Sequence, residues 1–279
     1  MKTLKTTFLL TALTLLLLGL GQTFGGQRGL TFALALAVLM NGTAYFFSDK
    51  IALASSGAVP ISREEAPRLY AVMERLAAKA NLPMPKLYLI PQAAPNAFAT
   101  GRNPSHASVA VTQGLLELMN DDELEGVIAH ELSHVRNYDI LTSSIAATIA
   151  GAITWIARMG FWFGGGGNDR ERGGGLTALL MLILAPIAAT LLQLGISRQR
   201  EFQADASGAQ MVGHPYGLIS ALEKLGAYNK RIPMDVPPTT SALMIVAPLT
   251  AGEIFSSLFS THPPLSERIA ALRSMTVTR

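Results

Sequence analysis

Val127-Ile128-Ala129-His130-Glu131-Leu132-Ser133-His134 places two histidines four residues apart, in a stretch that opens on Asp121, Asp122 and Glu123. Acids at that position favour the start of a helix, predicted from Asp122 to about Tyr138. At about 3.6 residues per turn, positions four apart share a helix face, so the two imidazoles can converge on one ion. A tetrahedral zinc ion, one per chain, with an open position for water suits such a pair. Glu131 lies about 100° round the helix from His130, a poor direction for a third ligand but a good one for reaching that water. It can take the water's proton and later pass it to a leaving amine. The bland alternative is a chance His-Glu-x-x-His on a surface helix. The apolar residues ahead of His130 speak instead for a buried helix.

Catalytic zinc sites commonly combine two histidines with one carboxylate. No further histidine follows in Val135-Arg136-Asn137-Tyr138-Asp139, so a distal acid must complete the site. The best candidate is Glu201 in Ser197-Arg198-Gln199-Arg200-Glu201-Phe202-Gln203-Ala204-Asp205. Glu201 and Asp205 share a helix face. One can ligate while Asp205 accepts the outer N–H of a ligating histidine. The alternative for Glu201 is a solvated helix acid paired with Arg198 or Arg200.

The surrounding composition belongs to a membrane protein. The chain is 49% hydrophobic and 15% charged, against about 25% charged in soluble domains. A first apolar stretch, Thr6 to about Gly25, follows Lys2 and Lys5, and a second, Gly29 to Phe47, follows at once. The first is about as long as a bilayer requires, and the second argues against a cleaved signal peptide. A turn at Gly25–Gly29 makes them a helical hairpin. A second pair, Ile140 to Phe163 (with Arg158) and Leu176 to Leu194, flanks the glycine-rich link at 164–175. That link lacks the Lys-Ser or Lys-Thr of a phosphate loop, so no nucleotide is expected. With almost no charge in these stretches, a channel or transporter is disfavoured. The absence of cysteine excludes disulfides and thiolate ligands and fits a reducing compartment. A net charge of +3 without a basic run argues against a nucleic-acid partner.

The remaining segments read as one soluble domain interrupted by the second hairpin. Ser62 to Ala80 is predicted helical, with Ser62 and Glu65 as a capping box. Lys86–Ile90 and Ser108–Val111 read as strands, and Pro95–Thr100 as an edge strand. Helices are predicted over Ser197–Val212, Pro215–Tyr228 and Leu265–Ser274, a loop over Ile232–Thr240, and a core or interfacial segment over Ser241–Phe259. The fold expected is mainly α with a small β-sheet, an integral membrane protein. Its divisions are an N-terminal hairpin (1–47), a first part of the catalytic domain (48–139), a second membrane hairpin (140–194) and a second catalytic part (195–279).

Taken in order, His130-Glu131-Leu132-Ser133-His134, a membrane hairpin, Arg200-Glu201-Phe202-Gln203-Ala204-Asp205 and Ser257-Leu258-Phe259-Ser260-Thr261-His262-Pro263-Pro264 resemble the HtpX membrane zinc metallopeptidases. Pro95-Asn96-Ala97-Phe98-Ala99-Thr100-Gly101 is similar to the motif those proteins carry before the metal helix. The resemblance covers essentially the whole chain. It implies a zincin-like domain, Glu201 as third ligand, and an enzyme of the bacterial inner membrane that degrades misfolded or damaged membrane proteins.

The other motif residues carry weaker expectations. Asn96, Ala97, Phe98 and Ala99 can form an edge strand that binds an extended peptide by strand addition, or an ordinary turn after Pro95. His262 can stabilise a developing oxyanion, or simply precede a helix entered through Pro263 and Pro264. Arg268 can tie that segment to Asp205, while His106 and His214 read as structural. The resulting expectation is an ATP-independent endopeptidase acting on polypeptides at a lipid bilayer, with its catalytic domain facing the cytoplasm. The alternative is a zinc-stabilised membrane chaperone or scaffold without proteolysis, which would have no need of Glu131. If the helices bearing His134 and Glu201 run unbroken into the apolar stretches, each ligand sits about 9–10 Å from the hydrocarbon.

Overall fold

The structure, a computed structural model, describes residues 2–163, 184, 187, 190–191, 197–229, 231–232, 234, 236–247 and 262–275. The glycine-rich link, most of the fourth apolar stretch, residues 248–259 of the Ser241–Phe259 segment and the Ser257–Thr261 motif lie outside the described residues.

Helix α1, Lys2–Ser55, is two helices joined at Gly26, whose backbone (φ 53°, ψ −141°) leaves the helical region. Glycine takes that conformation at no steric cost. The two legs, Leu4–Thr23 and Gly25–Ser55, are each long and apolar enough to cross a membrane. The second runs eight residues past the expected end at Phe47. Inside the hairpin, Asn41 donates to the Thr14 hydroxyl at 2.8 Å. Leu9, Leu13 and Leu17, spaced by four, are buried in one apolar cluster with Ile145, Ile149 and Ile153. Phe8, Leu15, Phe32, Val38 and Leu39 stay exposed, an outer face suited to lipid.

The catalytic unit starts with the short strand β1 (Val59–Pro60) and helix α2 (Pro67–Lys79). Ser62 and Glu65 do bond reciprocally, but within a turn ahead of the helix. Ala66 precedes a proline, which disfavours the α region, and its φ of −135° delays the helix to Pro67. Strands β2 (Lys86–Ile90), β3 (Ala97–Gly101) and β4 (Ala107–Thr112) complete a sheet of order β1-β2-β4-β3. β2 and β4 are parallel, and β3 lies antiparallel to β4 at the edge. A short helix α3 (Gln113–Leu118), not expected from the sequence, is capped by Thr112.

Helix α4 (Asp121–Arg136) forms the centre. Asn120 and Glu123 close a capping box, each bond 2.9 Å, and Leu124, Val127, Ile128, Leu132 and Val135 are buried. Helix α5 (Asp139–Phe163) carries the third apolar stretch. Beyond it come α6 (Arg198–Val212), α7 (Tyr216–Tyr228), the short α8 (Pro238–Ser241) within the expected loop, and α9 (Leu265–Ser274). Helices α6 and α7 pack directly on α4, so the two halves of the catalytic unit share one core. A Cβ on Gly208 would stand 3.0 Å from the His130 nitrogen. Glycine thus eases the close approach of α6 to α4, on which Glu201 and Asp205 face the two histidines.

Candidate metal centre

His130 and His134 rise one turn apart on α4, and Glu201 descends from α6. The two Nε2 atoms are 3.2 Å apart. Glu201 Oε2 lies 3.7 Å from His130 Nε2, and Oε1 lies 3.5 Å from His134 Nε2. One ligand atom from each residue falls within 4.8 Å of the others. Zinc bonds of 2.0–2.1 Å in a tetrahedron separate ligand atoms by about 3.4 Å. The donor set therefore fits a metal ion in both chemistry and spacing. Further, Glu201 Oε2 is buried and makes no well-aligned hydrogen bond, its nearest cationic neighbours outside the two histidines being His262 at 3.1 Å and Arg268 at 3.8 Å.

Each ring is held from outside by a carboxylate. Asp205 Oδ1 lies 2.9 Å from His130 Nδ1, and Asp139 Oδ2 lies 3.4 Å from His134 Nδ1. A proton held on Nδ1 leaves Nε2 free to ligate. Asp205 also receives Arg268 Nε and Nη2 at 2.8 and 2.6 Å, the tie expected from the sequence.

Charge is distributed unevenly. Burial pulls His130 down to about 4 against the nearby Asp205. Burial acts the same way on His134, but the Glu201, Asp139 and Glu131 carboxylates outweigh it and lift that ring to about 9. Glu131 is pushed up to about 7, chiefly by burial, with Glu201 adding and the Ala99 backbone N–H opposing. Burial also works to raise Glu201, yet His262, His134 and Arg268 hold it well below the ordinary carboxylate range. Glu131 is thus a carboxylate poised near neutral pH, and it lines the cleft with both histidines.

His262 brings Nδ1 to 3.1 Å from Glu201 Oε2, and its Nε2 lies 3.2 Å from the Ala242 carbonyl oxygen. The segment Ala242–Ile245 also lines the cleft, a feature the sequence did not signal. Ile245 donates its N–H to the Ala97 carbonyl at 2.9 Å. Its own carbonyl accepts from Arg268 at 2.7 Å, and Asn96 donates to the Val246 carbonyl at 2.8 Å. The chain itself therefore covers the edge of β3 at Asn96 and Ala97. Phe98 points into an apolar cluster with Ile90, Met234 and Met244. Of the four residues expected to bind an extended peptide, Ala99 alone borders the cleft. His106 pairs with Asn103 and His214 stacks on Tyr216, both away from the metal group.

The expectation of an unbroken helix from His134 into the membrane stretch does not hold. α4 ends at Arg136, Tyr138 adopts φ 60°, and α5 starts at Asp139. The left-handed turn folds the start of α5 back onto the site, so its first side chain touches His134 itself.

Comparison with known proteins agrees with this architecture. The profile described as Peptidase family M48 matches residues 63–276. A "Protease HtpX homolog" of Desulfatibacillum aliphaticivorans is 57% identical over 273 residues, covering 96% of this chain and 88% of the relative. Another, of Syntrophobacter fumaroxidans, is 52% identical over 278 residues, covering 97% and 98%. In the crystal structure of S. mikatae Ste24p the fold recurs with a TM-score of 0.53 at 22% identity, over 97% of this chain and 64% of that one.

Proposed function

The chain belongs to peptidase family M48, among the HtpX proteases, and from that premise we propose that this membrane metalloprotease is an ATP-independent zinc endopeptidase that degrades misfolded or damaged membrane proteins. The observation that carries the zinc reading is the triangle of His130 Nε2, His134 Nε2 and the Glu201 carboxylate, with sides of 3.2, 3.5 and 3.7 Å.

In this reading His130, His134 and Glu201 hold the ion, and Asp205 orients His130. When bound, zinc acts as a Lewis acid on water and on the substrate carbonyl. Glu131 takes a proton from the attacking water as the new C–O bond forms. It returns that proton to the amide nitrogen as the C–N bond breaks, and the water's second proton follows from the new acid to the amine, so the products are a carboxylate and an ammonium group. His262 is assigned to the developing oxyanion, and it already sits against one carbonyl, that of Ala242, beside the site. The extended substrate is assigned to the cleft at Ala99, the β3 residue that borders it.

The catalytic unit faces the cytoplasm of a bacterial inner membrane in this account. Lys2, Lys5, Lys50, Arg136, Arg198 and Arg200 mark that side by the positive-inside rule. Because His134 and Glu201 meet, the chain between them, most of which lies outside the described residues, must leave and return on the same side in this reading. Reporter fusions after Arg279 should read cytoplasmic, and a periplasmic readout would overturn the orientation. For the activity itself, purified protein should cleave an unfolded polypeptide in the presence of zinc and lose that cleavage to a chelator. Cleavage that is indifferent to chelation would rule the mechanism out.

A further inference from the structure

We propose that Asp139 is a positioning residue of the metal centre: it orients the His134 ring and thereby ties a metal ligand to the first turn of the apolar helix α5. The proposal rests on the metal reading of His130, His134 and Glu201.

Local backbone geometry supplies the first ground. Had α4 continued, a residue five places after His134 would lie about 140° round the axis and roughly 7.5 Å along it, out of reach of that ring. The chain instead turns through Tyr138 at φ 60°, a conformation disfavoured for a bulky side chain. The turn delivers the Asp139 carboxylate to 3.4 Å from His134 Nδ1. Asp139 is 7% exposed, so it has left water to be there.

The second ground is what else Asp139 touches. Its other oxygen accepts from Arg200 Nη1 at 2.9 Å, and Arg200 directly precedes Glu201 on α6. One buried carboxylate thus links the helix of two ligands to the helix of the third. On the opposite ring Asp205 does the same work for His130 at 2.9 Å while anchored by Arg268. The two histidines are therefore served by two parallel devices, each a carboxylate held by an arginine. Asp139 differs in belonging to α5, the apolar helix packed on α1.

The third ground is the rest of that helix turn. Thr142 bonds the Thr6 hydroxyl of α1 at 3.2 Å, and Ser144 bonds the Thr100 hydroxyl of β3 at 2.7 Å. The start of α5 therefore contacts the α1 hairpin, strand β3 and a metal ligand within two turns.

An acid at a helix start could instead serve only the helix dipole. Metal binding separates the two roles. The full-length protein in detergent, stripped of metal, is titrated with zinc against a fluorescent chelator, and with cobalt(II) while its visible absorption is recorded. Asp139→Ala should bind zinc about 10–100-fold more weakly and show a shifted cobalt spectrum, with Asp139→Asn in between because its amide oxygen still accepts. Arg200→Gln should weaken zinc in the same direction by less. If Asp139→Ala fails to fold, Asp139→Asn and Arg200→Gln decide. Parental zinc affinity and parental cobalt spectra in the variants that fold, beside a His134→Ala variant that has lost zinc, would overturn the proposal. A His134→Ala variant that keeps its zinc would instead overturn the ligand assignment beneath it.

Discussion

Asp205 and Arg268 are joined by two hydrogen bonds, 2.8 and 2.6 Å long, with the guanidinium fully buried and the carboxylate also 2.9 Å from His130 Nδ1. Removing one partner of a buried ion pair leaves the other uncompensated, at a cost of about 3–5 kcal/mol. Asp205→Ala should therefore lower unfolding stability by about that amount and weaken zinc about 10–100-fold through the freed His130 ring. Denaturant unfolding of the metal-free protein, paired with chelator competition, separates the two effects. An unchanged midpoint would show that the pair is not structural.

The ligand assignment predicts a simple pattern of metal content. His130→Ala, His134→Ala and Glu201→Ala should each be purified with far less than one zinc per chain. If Glu201→Ala holds zinc as tightly as the parent, another acid is the third ligand.

Zinc affinity should rise with pH. A histidine must be neutral to ligate. His134, lifted to about 9 in the metal-free site, gives up one proton on binding throughout the neutral range. His130, near 4, gives up none there. The proton competes with the metal, so affinity increases about tenfold per pH unit from pH 7 and levels off above about pH 9. Chelator competition across that range checks the slope, and a flat profile would contradict the charge distribution.

The fold-back of α5 brings its first residue within 3.4 Å of a metal ligand, so the site stands at the root of an apolar helix. A bilayer-anchored unfolded reporter should be cut faster in proteoliposomes than the same reporter free in solution. Cleavage should fall as rigid helical spacers lift the cleavage segment from the membrane. Equal rates at every spacer length would show that height does not govern access.

Much of this was legible in the sequence because local rules applied. The spacing of His130 and His134, the acids opening their helix and the i, i+4 pair Glu201/Asp205 each follow from helical periodicity. The hairpin of α1 followed from length and from Gly25–Gly29. What escaped depended on long-range contact. Asn96 read as a peptide-binding edge residue, yet its amide holds Val246, 150 residues away. The start of α2 depended on a clash at Ala66 that the Ser62–Glu65 pair concealed. Asp139 carried no assigned role in the sequence, where it only closes the stretch after His134. Only the positive φ of Tyr138, which no simple pattern announces for a tyrosine, turns it towards His134.

The central claim is that Glu131 moves the proton and does not hold the metal. Glu131→Gln removes proton transfer and leaves both imidazoles and Glu201 in place. Zinc content and hydrolysis of an unfolded substrate should be measured on the same purified sample. The account predicts close to one zinc per chain and a rate lowered by about 10²–10⁴-fold. Hydrolysis at near the parental rate, or loss of the zinc together with the activity, would contradict it.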